Sequence, residues 1–215
     1  MADLVYERPL TYAPPDPAEE AALDAFAAEY HRERAPFTRR LTADGKHVLL
    51  RAYARAHGLT RFVETGTHDG ECLAAMLVYP SPFKSAVSCE LGDEVNPGTR
   101  FPTLLQRRFA DEDRVLLHFG DSAKELPKMI DHFGGPALFW LDAHANGPGR
   151  HCPPHHFPLR DELVTCFGRL SRAGSVVLVD DMRFSGLGHW PEWRTIQSYG
   201  KGGFVEDDIA RLFVI

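Results

Sequence analysis

Apolar and polar positions along this chain change rhythm near residue 60. Ahead of that point the chain has helical composition. The segment AEEAALDAFAAEYHRER (18–34) is alanine-rich, opens on acids and closes on basic residues. That charge order suits a helix, because its N-terminal end is partially positive and its C-terminal end partially negative. Asp16, in the proline-rich lead-in YAPPDPAEE, is placed to cap its start. ADGKHVLLRAYARAHG (43–58) predicts a second helix that stops at Gly58, since glycine tolerates the left-handed conformation of a C-cap.

From Thr60 short β-prone runs alternate with longer mixed segments. The predicted strands are RFVET (61–65), SAVSCE (85–90), RVLLHFG (114–120), ALFWLDA (137–143), SVVLVDD (175–181) and IARLFVI (209–215). Between them HDGECLAAMLVY, GTRFPTLLQRRFA, SAKELPKMIDHFG and PLRDELVTCFGRLS read as helices, with Pro102 and Pro127 expected at or near helix starts. Such alternation predicts βαβ units. The class is α/β: a doubly wound, mostly parallel sheet with helices on both faces, formed by residues 60–215. Residues 1–59 form a short N-terminal helical extension packed on that core. Near-continuous apolar runs such as ALFW and VVLV suit strands buried on both faces. At the C-terminus only IARLFVI reads as strand; GKGGF reads as loop, although a strand has room in WRTIQSYG. The sheet is then one strand short, or a second copy of the chain covers its edge.

Nearly every strand ends in an acid: Glu64, Glu90, Asp121 just past the third, Asp142, and the pair Asp180–Asp181. A parallel sheet lines these up along its carboxyl edge, where open α/β sheets bind ligands. Crowded carboxylates repel one another, and a cationic ligand, a metal or hydroxyl-rich groups relieve that repulsion.

Composition narrows the class. The 215 residues, 44% hydrophobic and 25% charged, suit one compact domain with a full core. The net charge of -6 gives no general attraction to nucleic acid or to an anionic membrane. The apolar runs are too short to span a bilayer, and the N-terminus lacks the pattern of a signal peptide. Cys72, Cys89, Cys152 and Cys166 show no C-x-x-C pairing and read as reduced thiols of a cytoplasmic protein.

The order of these motifs resembles class I S-adenosylmethionine (SAM)-dependent methyltransferases over roughly residues 60–215, which implies a Rossmann-like domain. VETGTHDG resembles the first motif, SCEL the second, GDS the region after the third strand, and FWLDAHAN and VVLVDDMR the ends of strands four and five. LDAH…PLRDEL…VLVDD is similar to macrocin-type small-molecule and sugar O-methyltransferases, a group that the resemblance implies to use a divalent metal such as Mg2+.

The residues favour a methyl donor over a dinucleotide. The turn reads G-x-x-x-G rather than G-x-G-x-x-G, and Glu64 and Asp69 would repel a pyrophosphate. SAM carries no phosphate. Glu64 suits its ammonium, and N–H groups of the turn holding Gly66, Thr67 and Gly70 suit its carboxylate. Glu90 follows Glu64 by 26 residues, near the roughly 20-residue spacing of an acid that takes ribose hydroxyls. Asp121 and Ser122 fall where the adenine would lie, and serve equally well as a helix N-cap.

LDAHANGPGRHCPPHHFPLRDEL carries the second half of the site. Asp142, with Asp180 and Asp181, offers hard oxygen ligands for a divalent metal; Asp181 is the expected site-facing member, with Asp180 a second ligand. His144, two residues after Asp142, is the candidate general base for deprotonating a substrate hydroxyl. His151, Cys152, His155 and His156 lack zinc-ligand spacing and read as an active-site loop. Arg160, Arg183, Trp190 and Trp193 are candidates for lining the pocket of a small-molecule acceptor. A non-catalytic Rossmann-like binding protein and, less favoured, an NAD-dependent oxidoreductase are the alternatives.

Overall fold

The computed structural model describes residues 43–78, 81–92, 101–143, 158–170, 174–182, 191, 193–199, 201–206 and 209–213; for 43–45, 193 and 201 onward this covers the backbone alone. The expected helix over 18–34, its Asp16 cap and the His151–His156 loop lie outside the described residues, as do Arg183 and Trp190.

Seven strands form one sheet in the order β3-β2-β1-β4-β5-β7-β6. They are β1 (Arg61–Thr65), β2 (Ser85–Glu90), β3 (Val115–Phe119), β4 (Leu138–Leu141), β5 (Val176–Val179), β6 (Lys201–Glu206) and β7 (Ile209–Phe213). β1 to β5 pair parallel, and β7 runs antiparallel to both β5 and β6. The described helices are α1 (Ala43–Ala56), α2 (Glu71–Leu77), α3 (Phe101–Arg108), α4 (Ser122–Phe133), α5 (Leu159–Arg169) and α6 (Trp193–Gln197). No described helix is long and apolar enough to cross a membrane.

Strand alternation divides the core in two. Phe62, Ala86, Leu138, Trp140, Val176 and Leu178 pack with Leu50 and Tyr53 of α1, Leu73 and Leu77 of α2, and Leu105 of α3. The intervening residues Val63, Val87, Phe139, Leu141, Val177 and Val179 pack with Leu126 and Met129 of α4, Leu163 of α5 and Ile196 of α6. Both faces are thus covered, which is why these strands read as unbroken apolar runs. α1 ends as its sequence predicts. Gly58 has φ +62, its N–H donates to Arg55 O, and Leu59 N–H donates to Ala54 O at 2.7 Å, a Schellman closure.

Three expectations are corrected. Pro127 lies inside α4 rather than at its start; only one intrahelical bond is forfeited, and Leu126, Met129 and Ile130 still bury the helix. WRTIQ forms helix α6, not a strand. KGGFVE forms edge strand β6, not a loop, and completes the sheet. Its pairing with β7 shifts register between Lys201 and Phe204, across Gly202 and Gly203. Glycines in a strand commonly mark such an irregularity rather than a loop.

Candidate functional site

The parallel strands bring their acids to one edge in register. Asp142 N–H donates to Thr65 O, and Asp180 N–H to Leu141 O, so the exits of β1, β4 and β5 are laced side by side. Gly66, at φ +83, is required by this lacing: a Cβ there would lie 2.4 Å from Asp142 O and 2.7 Å from Asp142 C. Gly70, at φ +82, serves packing instead; its Cβ would strike Phe109 and Leu105 at 2.8 and 2.9 Å.

Glu64 sits beneath the turn, only 1% exposed. Ser88 Oγ donates to its Oε2 at 2.5 Å, Thr67 and Ser88 hydroxyls meet at 2.6 Å, and the Cys72 thiol also bonds the carboxyl. Burial pushes the Glu64 carboxyl up to about 7, against these hydrogen bonds and with help from the Glu90 and Asp69 charges. Five N–H groups of the turn and its exit are engaged within the chain. Gly66 and Thr67 donate to Cys89 O, Gly70 to Thr67 O, His68 to Glu90 Oε2 and Glu71 to Asp69 Oδ1. These N–H groups thus already have acceptors within the chain. Arg108 Nη1 ties the turn to α3 by donating to Asp69 O at 2.7 Å.

Glu90 stands at the end of β2, against the turn. Burial raises its pKa, although His68 and Leu91 N–H groups donate to it. Asp121 caps α4, its Oδ1 accepting from Ala123 N–H at 3.0 Å, and Ser122 is buried as the first helical residue. Asp121 thus acts as the helix cap.

The second half of the edge holds a feature that the sequence reading missed. Lys46 Nζ donates to both oxygens of Asp180, each at 2.6 Å. Asp181 N–H adds a third donor to Asp180 Oδ1 at 2.7 Å. Burial alone would lower the Lys46 ammonium, but Asp180, Asp181 and Asp142 outweigh it and hold its pKa above the ordinary value. Asp142 and Asp180 also act on the Cys72 thiol together with Glu64, so the two halves share one field. The question of which of Asp180 and Asp181 faces inward rested on continued strand alternation. The strand ends at Val179, Asp181 turns to φ +55, and both side chains are buried.

A divalent metal does not fit this donor set as it stands, because an ammonium already occupies both Asp180 oxygens. No group of three or more potential ligands that could hold a metal occurs among the described residues. His144 lies outside them. Arg160, on α5, is exposed.

No protein-family model matches the chain, and no curated protein does so. Solved structures do. A methyltransferase of Podospora anserina, bound to SAH, matches over 95% of this chain and 91% of its own, at 13% identity and a TM-score of 0.54. An O-methyltransferase of Streptomyces achromogenes involved in tomaymycin synthesis, in complex with SAM, matches over 90% of each chain at 19% identity and TM-score 0.54. An O-methyltransferase of Bacillus cereus, in complex with SAH, covers 94% of this chain and 93% of its own, at 16% and 0.51. The chain therefore has the Rossmann-like α/β fold of SAM-dependent methyltransferases.

Proposed function

We propose that this chain is a SAM-dependent O-methyltransferase acting on a hydroxyl of a small molecule or sugar. The observation that carries the reading is the carboxyl edge itself: a glycine turn flanked by the carboxylates Glu64 and Glu90, on a sheet of methyltransferase topology. Anionic groups suit a sulfonium cofactor and oppose a dinucleotide. The likeness to structures solved with SAM or SAH supports the same reading.

In this reading Glu64 supplies negative charge from beneath the turn toward the cofactor ammonium. Glu90 takes the ribose hydroxyls, for which a carboxylate offers two acceptor oxygens. Gly66, Thr67 and Gly70 shape the turn, and Asp121 and Ser122 border the adenine. Because the turn N–H groups are already bonded, the cofactor carboxylate is held by other donors or displaces one of these bonds. Methyl transfer breaks the S–CH3 bond, forms O–CH3 and releases the hydroxyl proton; His144 is the proposed base, and Asp142 orients it or the acceptor. The protein works in the cytoplasm, on neither nucleic acid nor membrane; a homodimer is compatible with the reading.

The test is methyl transfer from labelled SAM to a panel of hydroxylated sugars, phenols and polyketides. His144→Ala and Asp142→Ala should each lower turnover by 100-fold or more while SAM still binds, on the scale of a lost general base. SAM binding with no transfer to any acceptor would favour the non-catalytic binding protein.

A further inference from the structure

Lys46 stands at a position where helix geometry forbids a casual lysine. Lys46, Leu49, Leu50 and Tyr53 recur at i, i+3, i+4 and i+7, and so share one face of α1. Leu49, Leu50 and Tyr53 are at most 3% exposed. An ammonium on a core-facing stripe is costly unless a charge meets it. Here the partner is Asp180, 4% exposed, held through both oxygens at 2.6 Å. Asp181 and Asp142 add their fields to the same ammonium. The chain thus delivers its own cation to the carboxylate at the exit of β5.

We infer that Lys46 is the resident cation of the Asp180 carboxylate, lying in the field of Asp142 and Asp181 and occupying the two oxygens that a divalent metal would need, so that this site works without one. An ammonium has three N–H donors, and Asp180 takes two. The lysine side chain is 23% exposed, so the cluster is not sealed and its positive charge is available to an acceptor oxygen. Lys46 acts as a positioning residue: it neutralises Asp180 and fixes α1 against the carboxyl edge. The assignment deepens the methyltransferase reading, on which it rests only for the reaction performed.

The test is Mn2+ binding to the full chain, followed by the electron paramagnetic resonance signal of free Mn2+. The wild-type chain is expected to leave Mn2+ free at micromolar concentration. Lys46→Ala should bind it at least tenfold more tightly, and Lys46→Ala/Asp180→Asn should lose that gain. SAM titration in EDTA should match SAM titration in Mg2+ for the wild-type chain. Micromolar uptake of Mn2+ by the wild-type chain, abolished in Asp180→Asn, would overturn the inference. So would a folded Lys46→Ala chain that takes up no Mn2+. If Lys46→Ala does not fold, the wild-type titration still decides. Failure of SAM to bind would sink the proposed function and leave the Mn2+ result standing, so the two failures are distinguishable.

Discussion

Replacing Glu64 with glutamine should make the ligand-free chain more stable above neutral pH while weakening its hold on SAM. The carboxyl is buried and its pKa rises from 4.5 to about 7. In the unfolded chain it ionises near its ordinary value. Between the two values the folded state binds more protons than the unfolded state, so stability falls as pH rises. The contribution is fully present below the unfolded pKa and is lost as pH passes the folded one. With about 1.4 kcal/mol per pH unit, the loss is about 3 kcal/mol, an order-of-magnitude figure for a fully buried group. Glu64→Gln keeps the size and an acceptor for the Ser88 hydroxyl, but presents an amide N–H2 where the second oxygen stood. Allowing about 1 kcal/mol for that mismatch, the variant gains roughly 2 kcal/mol at pH 8. Urea unfolding of both chains from pH 4.5 to 8 measures this directly. The wild-type midpoint should fall across that range relative to the variant's. Parallel pH profiles, or a variant less stable than wild type at pH 8, would refute the reasoning.

Other outcomes follow from the same geometry. SAM affinity should rise as pH passes about 7, because Glu64 becomes the anion that the ammonium meets; calorimetry from pH 6 to 8 reads this, and Glu64→Gln should flatten it. Gly66→Ala places a Cβ 2.4 Å from Asp142 O at φ +83, so a loss of roughly 2–4 kcal/mol is expected in denaturant unfolding, together with weaker SAM binding. Asp121→Ala removes the cap of α4 and should cost about 1 kcal/mol, whereas Asp121→Ser keeps the cap. A drop in SAM affinity in both variants, with stability lost in the alanine variant alone, separates an adenine contact from capping.

Much of the fold was legible because the strands carry unambiguous local signals. RFVET and SAVSCE match β1 and β2 residue for residue, and Gly58 closes α1 as a left-handed cap should. What escaped were features decided by tertiary context. KGGFVE lacks an apolar run, and only its pairing with β7 makes it a strand. Pro127 is tolerated because one missing hydrogen bond is small beside the apolar face that α4 buries. At the candidate site, strand-end acids located the edge, since parallel pairing carries sequence order into space. Their partners were hidden by distance along the chain: Ser88 meets Glu64 across β1 and β2, and Lys46 reaches Asp180 from 134 residues away. One signal was present, a lysine on the apolar stripe of α1, and a core-facing charge is itself a pointer to a buried partner. The engagement of the Gly66 and Thr67 N–H groups could not be read from residue types, because their acceptor is a backbone carbonyl of the neighbouring strand, Cys89 O.

In the proposed function the acidic glycine turn holds a phosphate-free sulfonium cofactor. Calorimetric titration of the 215-residue chain with SAM and, separately, with NADH puts it to the test. One SAM bound per chain with micromolar affinity, and no heat of binding from NADH, is the expected result. Saturable NADH binding, or no binding of SAM or SAH at all, would contradict it.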